Sequence, residues 1–175
     1  MTIYFYKVWQ PYGCFSNFSP HPIEIQSTYW PTVEHYYQAQ KFVGSEDEVI
    51  IPLIHAAATP EEAAALGRCS KNRLRLDWEL VKTQVMREAV FKKFLTHLEI
   101  QEVLLVTGNE ILVENSPTDY FWGCGADKTG ENHLGKILMS VREEIRQLLS
   151  LSVTPAVGDA AGRANASINL TIKNP

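Results

Sequence analysis

The run Trp30-Pro31-Thr32-Val33-Glu34-His35-Tyr36-Tyr37-Gln38-Ala39-Gln40-Lys41-Phe42 constrains this chain more than any other segment. It reads as a helix, because Pro31 suits a first turn and no breaker follows before Gly44. Glu34, Gln38 and Lys41 fall at i, i+4 and i+7, so an acid, an amide and a base share one face. Bulky aromatics flank that face. The arrangement suits a ligand held in a half-buried pocket. The same spacing equally suits a solvated face lying over an aromatic core.

The rest of the chain reads as a single α+β domain over residues 1–150, predominantly helical with a small antiparallel sheet, followed by a flexible tail at 151–175. The tail boundary follows a shift to Ala, Gly, Ser and Pro after Ser150. Strands are expected near residues 3–6 and in a hairpin whose turn is Gln26-Ser27, with a further strand at 111–114. Thr59-Pro60-Glu61-Glu62 is a helix start, and Asp77 is the expected cap of a long helix over 78–95. Pro52 predicts a break or kink in a helix between Glu46 and His55. A last helix over 132–150 places Leu134, Ile137, Leu138, Val141 and Ile145 on one face.

Composition narrows the chemistry. The formal net charge of −4 does not recommend a nucleic-acid backbone as partner. Cys14, Cys69 and Cys124 are far apart and odd in number, without a CxxC pair. A reduced, cytoplasmic setting is the simplest reading, with no metal and no cofactor expected. No apolar run approaches the ~20 residues of a membrane span, so no membrane partner is expected. Oligomeric state is not readable.

Three further clusters can carry chemistry. Phe15, Ser16 and Asn17 lie in a loop after Gly13, with donors next to an aromatic; a turn anchored by aromatics explains the same residues. Arg68, Lys71, Arg73 and Arg75 place four cations within eight residues of an acidic protein, an anion site or a solvated connector. Asp119-Tyr120-Phe121-Trp122-Gly123-Cys124-Gly125 offers a second carboxylate, a flat indole and backbone N–H groups for an anion nest. Trp78, after the cation cluster, reads as core in isolation. Together these parts suit a nucleotide-like molecule: aromatics for a base, cations for phosphate, carboxylates near the sugar. Cleaving a C–N glycosidic bond develops positive charge at the ribose C1′, which a carboxylate stabilises. A lysine offers a Schiff-base route to an opened sugar.

At this point the chain resembles the NADAR, or YbiA-like, N-glycosidase family. The resemblance is carried by Phe15-Ser16-Asn17-Phe18, the 30–42 run, Asp77-Trp78, Asp119-Tyr120-Phe121-Trp122-Gly123, and Asn132-His133-Leu134-Gly135-Lys136. It implies an N-glycosidase acting on phosphoribosylamino-pyrimidine intermediates of riboflavin synthesis, releasing ribose 5-phosphate, as a metabolite-damage control device. Other family members remove ADP-ribose from guanine in DNA, the alternative under which a nucleic acid becomes a partner; a non-catalytic binder of ADP-ribose-like ligands is a third reading. The family motif places functional roles on Glu34, Trp78, Asp119 and Trp122, with Lys41 tied to the ADP-ribosyl chemistry. Glu34, Asp119 and Lys41 are thus the candidate catalytic residues. Phe15, Ser16, Asn17, Trp30, Gln38, Arg68, Lys71, Arg73, Trp78, Trp122, Gly123 and Asn132 are the candidate binding residues. The chain departs from the family pattern at Cys124, where at least one member carries an acid.

Overall fold

A computed structural model describes residues 1–153. Strand β1 (Thr2–Phe5) leads into a loop carrying a short 3-10 turn at Gly13–Phe15. β2 (Ile23–Ile25) and β3 (Thr28–Trp30) form the antiparallel hairpin. Gln26 and Ser27 both take positive φ, 51° and 58°, as a two-residue turn of the type that matches strand twist requires.

Helix α1 (Val33–Gln40) begins two residues after Pro31, not at it. Thr32 is its cap, its side chain accepting from the His35 N–H, and Pro31 stays outside. Pro52 does not kink a long helix. A 3-10 turn (Glu48–Ile50) passes into α2 (Ile51–His55), and Pro52 sits in its first turn, where no N–H is missed. In α3 (Pro60–Gly67) the Thr59 hydroxyl accepts from the Glu62 N–H, as expected. Helix α4 (Trp78–Thr96) is not capped by the Asp77 side chain, because that carboxylate is taken by a bidentate contact with Arg75 at 2.6 and 2.9 Å. α5 (Leu98–Val106) and β4 (Ile111–Glu114) follow, then α6 (His133–Val153).

α6 runs through residues 151–153, which the sequence assigned to the tail; the rest of the 151–175 expectation lies outside the described residues. Its core face is as read: Leu134, Leu138, Val141 and Ile145 are fully buried. They join Phe5, Phe15, Phe42, Met86 and Phe94 in one apolar cluster, with α4 packed between α1 and α6. Burial of that stripe, not helix propensity, is what holds a helix of this length in place.

One topological feature positions the site. The hairpin is the antiparallel sheet, but β4 pairs with β1 in parallel, Thr2 opposite Ile111 and Phe5 opposite Glu114. The carboxyl ends of both strands therefore open on the same side. In parallel sheets that is where ligand clefts form.

Candidate active site

A cleft of about 490 Å³ opens beyond these strand ends. Its wall is built from the residues after β1, the Ser16–Phe18 loop, one face of α1, Glu61 and Arg68 at the two ends of α3, Met86 of α4, and the segment from Glu114 to Trp122. Glu34, Gln38 and Lys41 all line it. They are not a solvated face: Glu34 is 3% exposed, Gln38 1% and Lys41 9%.

Glu34 is held from several sides. Its backbone N–H donates to the Asn17 carbonyl at 3.1 Å, tying the loop to the start of α1. Its carboxyl accepts from the Gln38 amide at 2.7 Å, and the Arg68 guanidinium reaches in from the rim at 3.6 Å. Burial pushes the carboxyl above its ordinary range; Gln38, Arg68 and Lys41 oppose that, and Asp119 adds to it. A carboxyl raised in this way holds a proton more tightly than a solvated one, as a group that moves protons must. Gly67 permits this arrangement, because a Cβ there would meet the Gln38 Oε1 at 2.1 Å. Lys41 donates to the Gly67 carbonyl at 3.2 Å, and burial lowers its ammonium to about 8 despite the attraction of Glu34.

Asp119 faces Glu34 with a different environment. Its Oδ1 accepts from the N–H groups of Phe121 at 3.0 Å and Trp122 at 2.7 Å, so the carboxylate is fixed by the loop that also presents the indole. Trp122 meets Tyr37 edge-on at 5.4 Å, and Tyr37 in turn packs on Trp78 at 5.1 Å. Trp78 thus supports the cleft wall from behind rather than lining it.

Other expectations need correction. Of the cation cluster only Arg68 lines the cleft. Arg73 pairs with Glu46 and its N–H with Asp47, Arg75 pairs with Asp77, and Lys71 is exposed outside the cleft. The connector fans its side chains outward, so closeness in sequence does not become convergence in space. Phe15 is a core anchor, edge-packed on Phe5 and Phe94. Its neighbours Ser16 and Asn17 do line the cleft. Their loop is clamped from below by buried Lys93, which donates to the Ser16 carbonyl at 2.9 Å and the Ser19 hydroxyl at 2.6 Å. Trp30 packs edge-on against Tyr36 and His55, away from the cleft.

The anion nest expected around Gly123 does not form. The Cys124 and Gly125 N–H groups donate to the Glu114 and Asp119 carbonyls. Gly123 is buried and the side chain of Cys124 turns to Asn115. Asn132 spends both amide atoms inside the fold, accepting from the Glu114 N–H and donating to the Leu112 carbonyl. It is a latch on β4, not a contact with the cleft.

Sequence reasoning missed Tyr6, Lys7, Trp9, Glu61 and Glu114. Nothing local marks them. Glu114 ends a short strand, and only the parallel register brings it beside the residues that follow β1. Four carboxyls (Glu34, Glu61, Glu114, Asp119) and three cations (Lys7, Lys41, Arg68) line the finished cleft. Among the described residues no cluster of metal-ligating side chains occurs, and no helix is long and apolar enough to cross a membrane.

The chain is similar to known proteins over most of its length. The NADAR domain model matches residues 4–146. An N-glycosidase of Nostoc punctiforme is 82% identical over 152 residues, covering 87% of this chain and 97% of that protein. The N-glycosidase YbiA of Escherichia coli is 44% identical, covering 82% and 88%. The chloroplastic riboflavin biosynthesis protein PYRR of Zea mays is 44% identical over 90% of this chain, which spans 27% of that longer protein. The solution structure of E. coli YbiA superposes with a TM-score of 0.79 at 40% identity, over 90% of this chain and 94% of the other. The matched span includes every element that lines the cleft, and this chain belongs to the NADAR domain family.

Proposed function

We propose that the cleft hydrolyses the C–N ribosyl bond of a phosphoribosylamino-pyrimidine of riboflavin synthesis, releasing ribose 5-phosphate. The protein is a hydrolase of N-glycosyl bonds, in keeping with its N-glycosidase relatives. The riboflavin context rests on the relatives named for that synthesis. The observation that carries the reading is the pairing of two unlike carboxyls in one cleft: buried, raised Glu34 and backbone-anchored Asp119.

The chemistry follows from that pairing. As the bond to the base lengthens, positive charge spreads over C1′ and the ring oxygen. Asp119, fixed by two N–H donors, needs no reorganisation to stabilise it. Glu34 takes the proton of the attacking water, with Gln38 and Arg68 holding its orientation. Tyr37 and Trp122 offer an aromatic wall for the pyrimidine, and Arg68 with Lys7 offers charge for the 5-phosphate. A cleft of about 490 Å³ is of the size that encloses a small mononucleotide.

Incubation with early riboflavin-pathway ribosylaminopyrimidines, followed by mass spectrometry, tests the reading; release of ribose 5-phosphate is expected, and its absence removes it. Arg68→Ala is expected to raise KM for the 5-phosphorylated substrate ~10–100-fold while leaving the KM of the dephosphorylated analogue nearly unchanged. Equal effects on both would take the phosphate away from Arg68.

One observation favours a second reading. Lys41, lowered to about 8, supplies an amine to the cleft and so a covalent route of the kind used on ADP-ribosylated guanine. The hydrolytic reading expects borohydride added during turnover to leave the chain mass unchanged. A ribosyl adduct reduced onto Lys41 would establish the covalent route instead.

A further inference from the structure

Glu114 has an unusual position among the four carboxyls. Its backbone is pinned on both sides: the N–H donates to the Asn132 Oδ1 at 3.0 Å, and the carbonyl accepts from the Cys124 N–H at 2.9 Å. The side chain is therefore delivered to the cleft by a rigid frame. The residue keeps partial exposure, yet its Oε2 is sealed from solvent and has no hydrogen-bond partner among the described residues. An anion in that position lacks compensation, whereas a neutral acid is tolerated. Asp119 shows the contrast, with two N–H donors on one oxygen.

We propose that Glu114 is the general acid of this cleft, giving its proton to the nitrogen that leaves C1′; this rests on the N-glycosidase reading above. Burial, then the charges of Asp119 and Glu34, push its carboxyl up to about 8 against the pull of Arg68. Lys7, Lys41 and Glu61 also face the cleft. Glu34 differs in its contacts: its carboxyl accepts from the Gln38 amide and faces Arg68, whereas the Glu114 Oε2 has no such donor among the described residues. In the step, the C1′–N bond breaks and its electron pair stays on nitrogen, which takes the Glu114 proton. The water oxygen bonds to C1′ and its proton passes to Glu34. Proton return from Glu34 through solvent restores Glu114. One water is consumed, and one free amine and one sugar hydroxyl form, without redox change.

The test compares two leaving groups on ribose 5-phosphate. An arylamine needs a proton to depart; p-nitrophenolate does not. Glu114→Gln is expected to lose ~10²-fold or more in kcat on the phosphoribosyl arylamine and to stay within about fivefold of wild type on p-nitrophenyl riboside 5-phosphate. Wild-type kcat/KM on the arylamine should fall above about pH 8 as the acid loses its proton, and that limb should vanish in Glu114→Gln. Lys41 titrates in the same range, so the limb should persist in Lys41→Met. Equal losses on both substrates, full activity on the arylamine, or a limb that survives in Glu114→Gln would each overturn the role of Glu114. A wild-type protein inactive on both substrates would instead overturn the N-glycosidase reading itself.

Discussion

Glu34→Gln should abolish turnover of the phosphoribosylaminopyrimidine, with kcat falling ~10³-fold or more while the protein stays folded. A loss of that size is about 4 kcal/mol of transition-state stabilisation. Glutamine keeps the shape and still accepts from the Gln38 amide, but it cannot take a proton from water. The fold should not suffer, because the anchoring contact of residue 34 to Asn17 is made by its backbone. Stability should respond in the opposite direction. A carboxyl raised above its ordinary value of 4.5 by burial favours folding below that value and loses that contribution as pH rises through its folded pKa. The variant has no such proton to lose, so its melting temperature should decline less than that of wild type as pH rises from 4.5. Full turnover by Glu34→Gln in a product-release assay would remove Glu34 from the chemistry.

Asp119 carries the second large effect, and two substitutions divide its roles. Asp119→Asn keeps an oxygen for the Phe121 and Trp122 N–H groups but removes the charge. We expect kcat to fall ~10²–10³-fold with little change in KM, since the charge is needed when C1′ becomes cationic. Asp119→Ala also releases the two N–H groups. That costs about 1–3 kcal/mol for donors left unpaired and loosens the loop that presents Trp122, so KM should rise and the melting temperature should drop. Steady-state kinetics with a thermal melt of each variant separates the two. If Asn and wild type share a kcat, the carboxylate charge plays no part.

These expectations depend on features of unequal visibility. The hairpin is readable because Gln26-Ser27 separates the alternating Ile23-Glu24-Ile25 from the strand formers Thr28-Tyr29-Trp30, and the turn needs nothing beyond its own backbone. The start of α3 was readable for the same reason: Thr59 caps through a neighbour three residues away. The core face of α6 followed from periodicity. Asp77 shows the limit of local reasoning, since an arginine two residues earlier competes for the carboxylate and wins. The cation cluster fails more broadly. Arg73 and Arg75 are captured by acids close to them in space, and only Arg68, at the end of α3, is aimed at Glu34.

The chain alone settles its local elements and the family motif, because capping, turn chemistry and helical periodicity act over a few residues. The same short range places Glu34, Gln38 and Lys41 on one face. Whether that face meets water or a cleft is set by distant partners: Asn17 at its start, Gly67 packed against Gln38, and Arg68 across the rim. The parallel pairing of β1 with β4 joins residues over a hundred positions apart and opens both strand ends on one side. That long-range register turns Glu114 from the last residue of a short strand into part of the acid lining. Its carboxyl is shifted by burial and by the charges of Asp119 and Glu34, and those surroundings exist only once the chain has closed around them.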